Sequence, residues 1–184
     1  MAIREFSPNF KYMQILFQTP RLTVRLMERK DAGFILRQFN SPTWLHFIGD
    51  RQVSTVQEAD NYIEQIYLKS YTENGFGAWV VTLKDSGEPI GTCGLFKRPY
   101  LPIPDIGYAL LPEFEGKGYA REAAEGALAY TRDVLGKKEL MGIVSEINHR
   151  SFQLLEKLGF KFLELIQPPG ENRSLKLYHI ALGE

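Results

Sequence analysis

The residues most able to do chemistry lie between Asp105 and Leu135, in the stretch DIGYALLPEFEGKGYAREAAEGALAYTRDVL. An apolar run from Ile106 to Leu111 reads as a strand, and Pro112 to Glu115 reads as a turn. Ala120, Ala123, Ala124, Ala127, Leu128, Thr131, Val134 and Leu135 then recur at helical spacing and form one face. Between strand and helix sits Glu115-Gly116-Lys117-Gly118-Tyr119-Ala120. A strand that feeds a glycine-containing loop opening a helix makes an anion site. The first helical N–H groups lack partners, the helix dipole favours negative charge, and glycine admits a ligand close to the backbone. The loop therefore reads as a pyrophosphate cradle. A tight strand-to-helix turn is the competing reading, since two glycines alone are a weak signal. Arg121 stands where a dinucleotide fingerprint would continue toward its third small residue, which argues against a Rossmann-type site, and no Walker A pattern is present.

The same six residues, Glu115 to Ala120, resemble the acetyl-CoA signature loop of the GNAT superfamily of N-acetyltransferases. Asp105-Ile106-Gly107-Tyr108 and Pro112-Glu113 are similar to the branch that acetylates N-termini of ribosomal proteins. Asn148-His149-Arg150-Ser151, followed by Glu156-Lys157-Leu158-Gly159-Phe160, resembles a further segment of the family. The likeness is close over roughly residues 105–160 and is one of pattern elsewhere. Glu115 departs from the family's Gln or Arg at that position, so backbone amides are expected to meet the phosphates in place of its side chain.

The resemblance implies a mixed α/β fold in one domain, residues 1–184 with a core of about 20–182. Its central sheet is mixed, mostly antiparallel and splayed, flanked by helices, with acetyl-CoA in the gap. It implies cofactor contacts at Leu110, Leu111, Glu115, Gly116, Lys117, Gly118, Tyr119, Ala120, Arg121, Asn148 and Ser151, and no metal. Catalytic roles fall on the Leu110 amide as carbonyl donor, on Ser151 as the group that protonates the leaving thiolate, and on Asp105 as base. Many members place a tyrosine one helical turn beyond the serine; here that position is Leu155.

Acyl transfer to an amine needs a proton acceptor, donors for the charge that grows on the carbonyl oxygen, and modest acid help for a thiol of pKa about 8.5. It needs no covalent enzyme intermediate, so the lack of a nucleophile motif is no objection. Structural readings stand beside each assignment. Asn148 can cap its helix, Ser151 can bond backbone in the first helical turn, and Asp105 can be a solvated strand-edge carboxylate. Glu113 reads as a charge near a helix N-terminus. Trp44, Phe47, Tyr67, Trp79 and Tyr100 read either as acceptor-cleft lining or as core. The function expected is transfer of an acetyl group from acetyl-CoA to a primary amine, on a protein N-terminus or a small molecule. An acyl-CoA-binding sensor without catalysis is the alternative. Many members of the family dimerise, which leaves a homodimer open.

A chain of 184 residues suits one domain with a full core. Basic and acidic residues balance at 22 each, which gives no net electrostatic case for nucleic acid or an anionic membrane. The single cysteine, Cys93, forbids an internal disulfide and, with no signal-peptide core in MAIREFSPNFKYMQ, suggests the cytoplasm. Strands are expected at Ile15–Phe17, Leu22–Leu26, Ala78–Leu83, Ile90–Phe96, Glu139–Ser145, Phe160–Ile166 and Ser174–Leu182. Helices are expected at Asp31–Phe39, after a capping box at Ser54-Thr55-Val56-Gln57, and through Ser151–Leu158, with Trp44 to Ile48 in a turn-rich segment.

Overall fold

The computed structural model describes residues 14–170 and 172–183; all of the N-terminal stretch but Gln14 lies outside them. Strands β1 (Ile15–Gln18) and β2 (Leu22–Leu26) form a hairpin around Pro20. A helical region follows. Helix α1 covers Ala32–Phe39, α2 Pro42–Phe47, α3 Val56–Tyr62 and α4 Lys69–Asn74, the last two joined by a π-helical stretch at Ile63–Leu68. Then come β3 (Ala78–Leu83), β4 (Pro89–Phe96), β5 (Asp105–Leu110), α5 (Tyr119–Asp133), β6 (Glu139–Ser145), α6 (His149–Lys157), β7 (Lys161–Ile166) and β8 (Leu175–Ala181).

Three local expectations are corrected. Residues Trp44 to Ile48 are not irregular: Pro42 opens α2 at a first-turn position, where its missing N–H costs nothing. The capping box sits one residue later than expected. Thr55 accepts from the Glu58 amide while the Glu58 carboxylate takes the amides of Ser54 and Thr55. Helix α5 also stops at Asp133, so Val134 leaves the apolar face and is exposed.

The eight strands form one sheet in the order β1-β2-β3-β4-β5-β6-β8-β7. Every pairing is antiparallel except β5–β6. Helix α5 covers one face across β1, β2, β4 and β5, sealed by Phe17, Trp79 and Tyr130 packed edge to face. The helices from α1 to α4 supply a second aromatic chain, Trp44–Phe39–Tyr62–Tyr67, with ring centroids 4.6, 5.0 and 5.3 Å apart. A buried Arg25–Asp31 pair, bidentate at 2.7 Å, ties β2 to the start of α1.

The feature that positions the site is the β5–β6 pairing. It consists of Asp105 opposite Met141 and Ile106 opposite Gly142, after which the strands part. Strand β5 remains paired along its whole length with β4 on its other side. The Leu111 amide bonds the Ile90 carbonyl at 2.8 Å. By strand alternation the amides of Gly107 and Ala109 therefore also face β4, while those of Tyr108 and Leu110 project from the edge that β6 has left.

Candidate active site

A cleft of about 340 Å³ opens where β5 and β6 diverge. Its walls come from β4 and β5 (Thr92, Asp105 to Ala109), from the end of β6 and the start of α6 (Ile143 to Ser145, Asn148, Ser151), and from the helical region (Trp44, Phe47, Tyr62, Tyr67). Trp79, a sequence candidate for this lining, is instead core, 1 % exposed against Phe17 and Tyr130.

Three of the sequence-predicted residues meet in the cleft. The Asn148 side chain caps α6 by accepting the Ser151 amide at 3.1 Å. That cap fixes the first turn and turns Ser151 toward β5. The Ser151 hydroxyl donates to Tyr108 Oη at 3.3 Å, and the Tyr108 hydroxyl donates to the Ser151 carbonyl at 2.9 Å. Tyr108 is thus a site residue that sequence spacing did not reveal. It stands 43 positions from Ser151 and on another element, and only the divergence of the strands lets α6 reach it. Burial raises its phenol above the ordinary tyrosine range. Leu155 is 2 % exposed and packs against Gly142, so it supplies no polar group.

Asp105 is not the solvated edge carboxylate of the alternative reading. It is 1 % exposed, and burial pushes its carboxyl up to about 6 against the opposing pull of Arg98. Arg98 Nε donates to Oδ1 at 2.8 Å, whereas Oδ2 has no hydrogen-bond partner among the described residues. Arg98 lies in the proline-rich connection before β5, where nothing in the local pattern marks it as a partner for Asp105.

The glycine loop has the geometry of an anion cradle. Gly116 and Gly118 adopt φ of 74° and 82°, the left-handed conformation that side chains resist. The first intrahelical bond of α5 runs from Glu122 to the Gly118 carbonyl, and the amides from Gly116 to Arg121 make no hydrogen bond among the described residues. A Cβ at Gly116 would meet nothing within 4 Å. Such a row of free amides at the N-terminus of a 15-residue helix fits a pyrophosphate. The side chains around it are held aside. Arg21 donates to the Lys117 carbonyl at 3.0 Å, stacks over Tyr119 at 4.4 Å and pairs with Glu122 at 2.6 Å. Lys117 Nζ lies 5.5 Å from the centre of the Phe114 ring, and Arg121 bonds Glu125. Glu115 has Arg150 Nη1 at 3.5 Å as its only ion-pair partner among the described residues. Glu113 lies in the first turn of a short 3-10 helix at Pro112–Phe114 and pairs with Arg37 of α1. Leu111 has both its amide and its carbonyl engaged, with Ile90 and Phe114, and is 1 % exposed.

Residues 21–161 match the family model described as an acetyltransferase (GNAT) domain. Among curated relatives, an uncharacterized N-acetyltransferase of Bacillus subtilis is 27 % identical over 147 residues, covering 79 % of this chain and 82 % of its own. Spermidine N(1)-acetyltransferase of Vibrio cholerae is 27 % identical over 142 residues, covering 76 % and 79 %. The crystal structure of a ribosomal-protein-S5-alanine acetyltransferase from Vibrio fischeri superposes with a TM-score of 0.76 at 21 % identity, covering 90 % and 95 %, and shares the fold. The chain belongs to the GNAT acetyltransferase family and is an acetyl-CoA-dependent acetyltransferase. No helix among the described residues is long and apolar enough to cross a membrane, and no cluster of three or more His, Cys, Asp or Glu among them could hold a metal ion.

Proposed function

We propose that the protein transfers the acetyl group of acetyl-CoA directly to a primary amine, with the reaction centred where Tyr108, Ser151 and Leu110 face the opening between β5 and β6. The observation that carries this reading is the parting of the two strands after Ile106 and Gly142, which leaves a row of strand amides beside a hydroxyl pair. When bound, acetyl-CoA supplies the reactive thioester. The amides from Gly116 to Arg121 hold its pyrophosphate, and the free edge of β5 at Tyr108 and Leu110 pairs with its amide-bearing arm. The Leu110 N–H donates to the carbonyl oxygen as charge develops there. Ser151 delivers its proton to the departing sulfur, and the second proton that the amine nitrogen loses as the amide forms returns to Ser151 by way of the Tyr108 hydroxyl. Asp105, ionised above about pH 6, takes the proton of the incoming ammonium through a water molecule, because its own oxygens are buried.

The acceptor is a protein N-terminal amine or a small-molecule amine. The likeness to the ribosomal-protein branch supports the first, and the relative named for spermidine supports the second. Thiol release from acetyl-CoA, followed with a panel of peptides, amino acids and polyamines, tests the reaction. Release above the hydrolysis rate with at least one amine is expected. Tight CoA binding without release from any of them would favour the binding-only alternative.

A further inference from the structure

The acceptor half of the cleft has a charge pattern that narrows the amine it takes. Among the described residues, three arginines line the cleft, Arg51, Arg98 and Arg173, against a single carboxylate, Asp105. Arg98 is already spent on that carboxylate. Arg173 donates to the carbonyls of Phe47 and Ile48 at 3.2 and 2.9 Å, holding the loop before β8 against the end of α2. Arg51 makes no ion pair among the described residues. It is exposed, yet close enough to the buried Tyr67 for its charge to act on that phenol. Its loop is set to present it: Gln52, the next residue, is the one non-glycine residue among those described with positive φ, at 54°, and its amide is held by the Asp50 carboxylate at 2.6 Å. A second donor in the same wall is unanswered. Trp44 is 8 % exposed, and its indole N–H has no acceptor among the described residues.

A polyamine would bring a second and third ammonium into a cleft whose one carboxylate is taken, and a desolvated cation without a counter-charge is costly. An acceptor with a single amine and a carboxylate meets both demands: its amine faces the Asp105 side and its carboxylate meets Arg51. The aromatic wall of Trp44, Phe47, Tyr62 and Tyr67 suits an apolar or ring-bearing side chain between them. Resting on the acetyl-transfer reading above, we infer that the acceptor is a monoamine carrying a carboxylate, of the amino-acid type, selected by Arg51 at the mouth of the cleft.

Equilibrium binding to the CoA-saturated protein tests this without turnover, using phenylalanine, phenethylamine and spermidine as probes. The first two share ring and amine and differ only in the carboxylate. Phenylalanine should bind at least about tenfold more tightly than either of the others, the scale of one charge-assisted hydrogen bond. In Arg51→Gln its advantage over phenethylamine should vanish while CoA affinity stays unchanged. Spermidine binding as tightly as phenylalanine, equal binding of phenylalanine and phenethylamine, or a preference that survives Arg51→Gln would overturn the inference. The expected preference without thiol release from any amine would leave this inference standing and overturn the catalytic reading instead.

Discussion

At the scale of single residues, the site is defined by three groups whose environments differ from what their positions alone suggest. Ser151 is oriented twice, by the Asn148 cap on its amide and by Tyr108 on its hydroxyl. Ser151→Ala should lower kcat by roughly 10²-fold or more with little change in CoA affinity, since deleting one hydroxyl scarcely perturbs a capped helix. Tyr108→Phe should give a comparable loss. The double variant should be scarcely slower than either single one, because the two hydroxyls act as a unit. Steady-state kinetics on the three variants checks this, and wild-type turnover in Ser151→Ala would place the acid elsewhere. Asp105 carries the pH dependence. Burial raises its carboxyl to about 6, so it is protonated and unable to accept a proton below that pH and ionised above it. The kcat/KM profile should fall on the acid side with a midpoint near 6, and Asp105→Asn should abolish that limb along with most of the rate. A profile with the same limb in the Asn variant would assign it to another group.

At the scale of elements, the loop between β5 and α5 is shaped by two left-handed glycines and fastened by Arg21. Gly118→Val places a β-branched side chain at φ 82°, and its Cβ would come within 3.4 Å of the Arg21 guanidinium. CoA affinity should fall by more than about tenfold while the far-ultraviolet dichroism stays that of a folded protein. Calorimetry on the folded variant measures the loss, and unchanged affinity would remove the loop from the binding site. Glu115 tests the other half of the cradle argument. Its partner Arg150 is exposed and 3.5 Å away, a pairing of little energetic weight. Glu115→Gln should therefore leave CoA affinity unchanged or raise it, more so at low salt where repulsion from phosphate is least screened. A marked loss would mean that the carboxylate itself contributes a contact.

At the scale of the whole molecule, the sheet is continuous where β3 and β4 pair and open where β5 and β6 part. Gly94 sits where the start of β3 lies closest to β4. A Cβ there would overlap the Gly77 carbonyl and the Ala78 backbone, neither of which can swing away as a side chain can. Gly94→Ala should cost about 1–3 kcal/mol or more in a urea titration, the range of overpacked cores. Because Gly94 is paired with Gly107 of β5, the strain should also reach the cleft and lower activity beyond the loss of folded protein. An unchanged midpoint would show that the two strands separate more readily than their packing implies.

Much of this was legible from the chain alone. The strands at Ala78–Leu83 and Glu139–Ser145 coincide with their observed bounds, because apolar residues at strand spacing between turn residues leave one solution. The glycine loop was legible for the same kind of reason: a positive φ restricts residue type locally, so Gly116 and Gly118 announce their conformation. Asn148 was legible as a cap, and is one. The helix at Pro42 was not, since Asn40-Ser41-Pro42 ends one helix and starts another with the same residues. What only the tertiary structure decided are the contacts between separate elements: Tyr108 on Ser151, Arg21 on the glycine loop, Arg98 reaching back from the β4–β5 connection to Asp105, and the placing of Arg51 on the wall of the cleft. None of these pairs shares a helix turn or a strand register, so no periodicity encodes them. The contact of Tyr108 with Ser151 exists because β6 leaves β5 after two paired positions and lets α6 reach the freed strand, an arrangement set by how the whole sheet is ordered and not by the periodicity of either element.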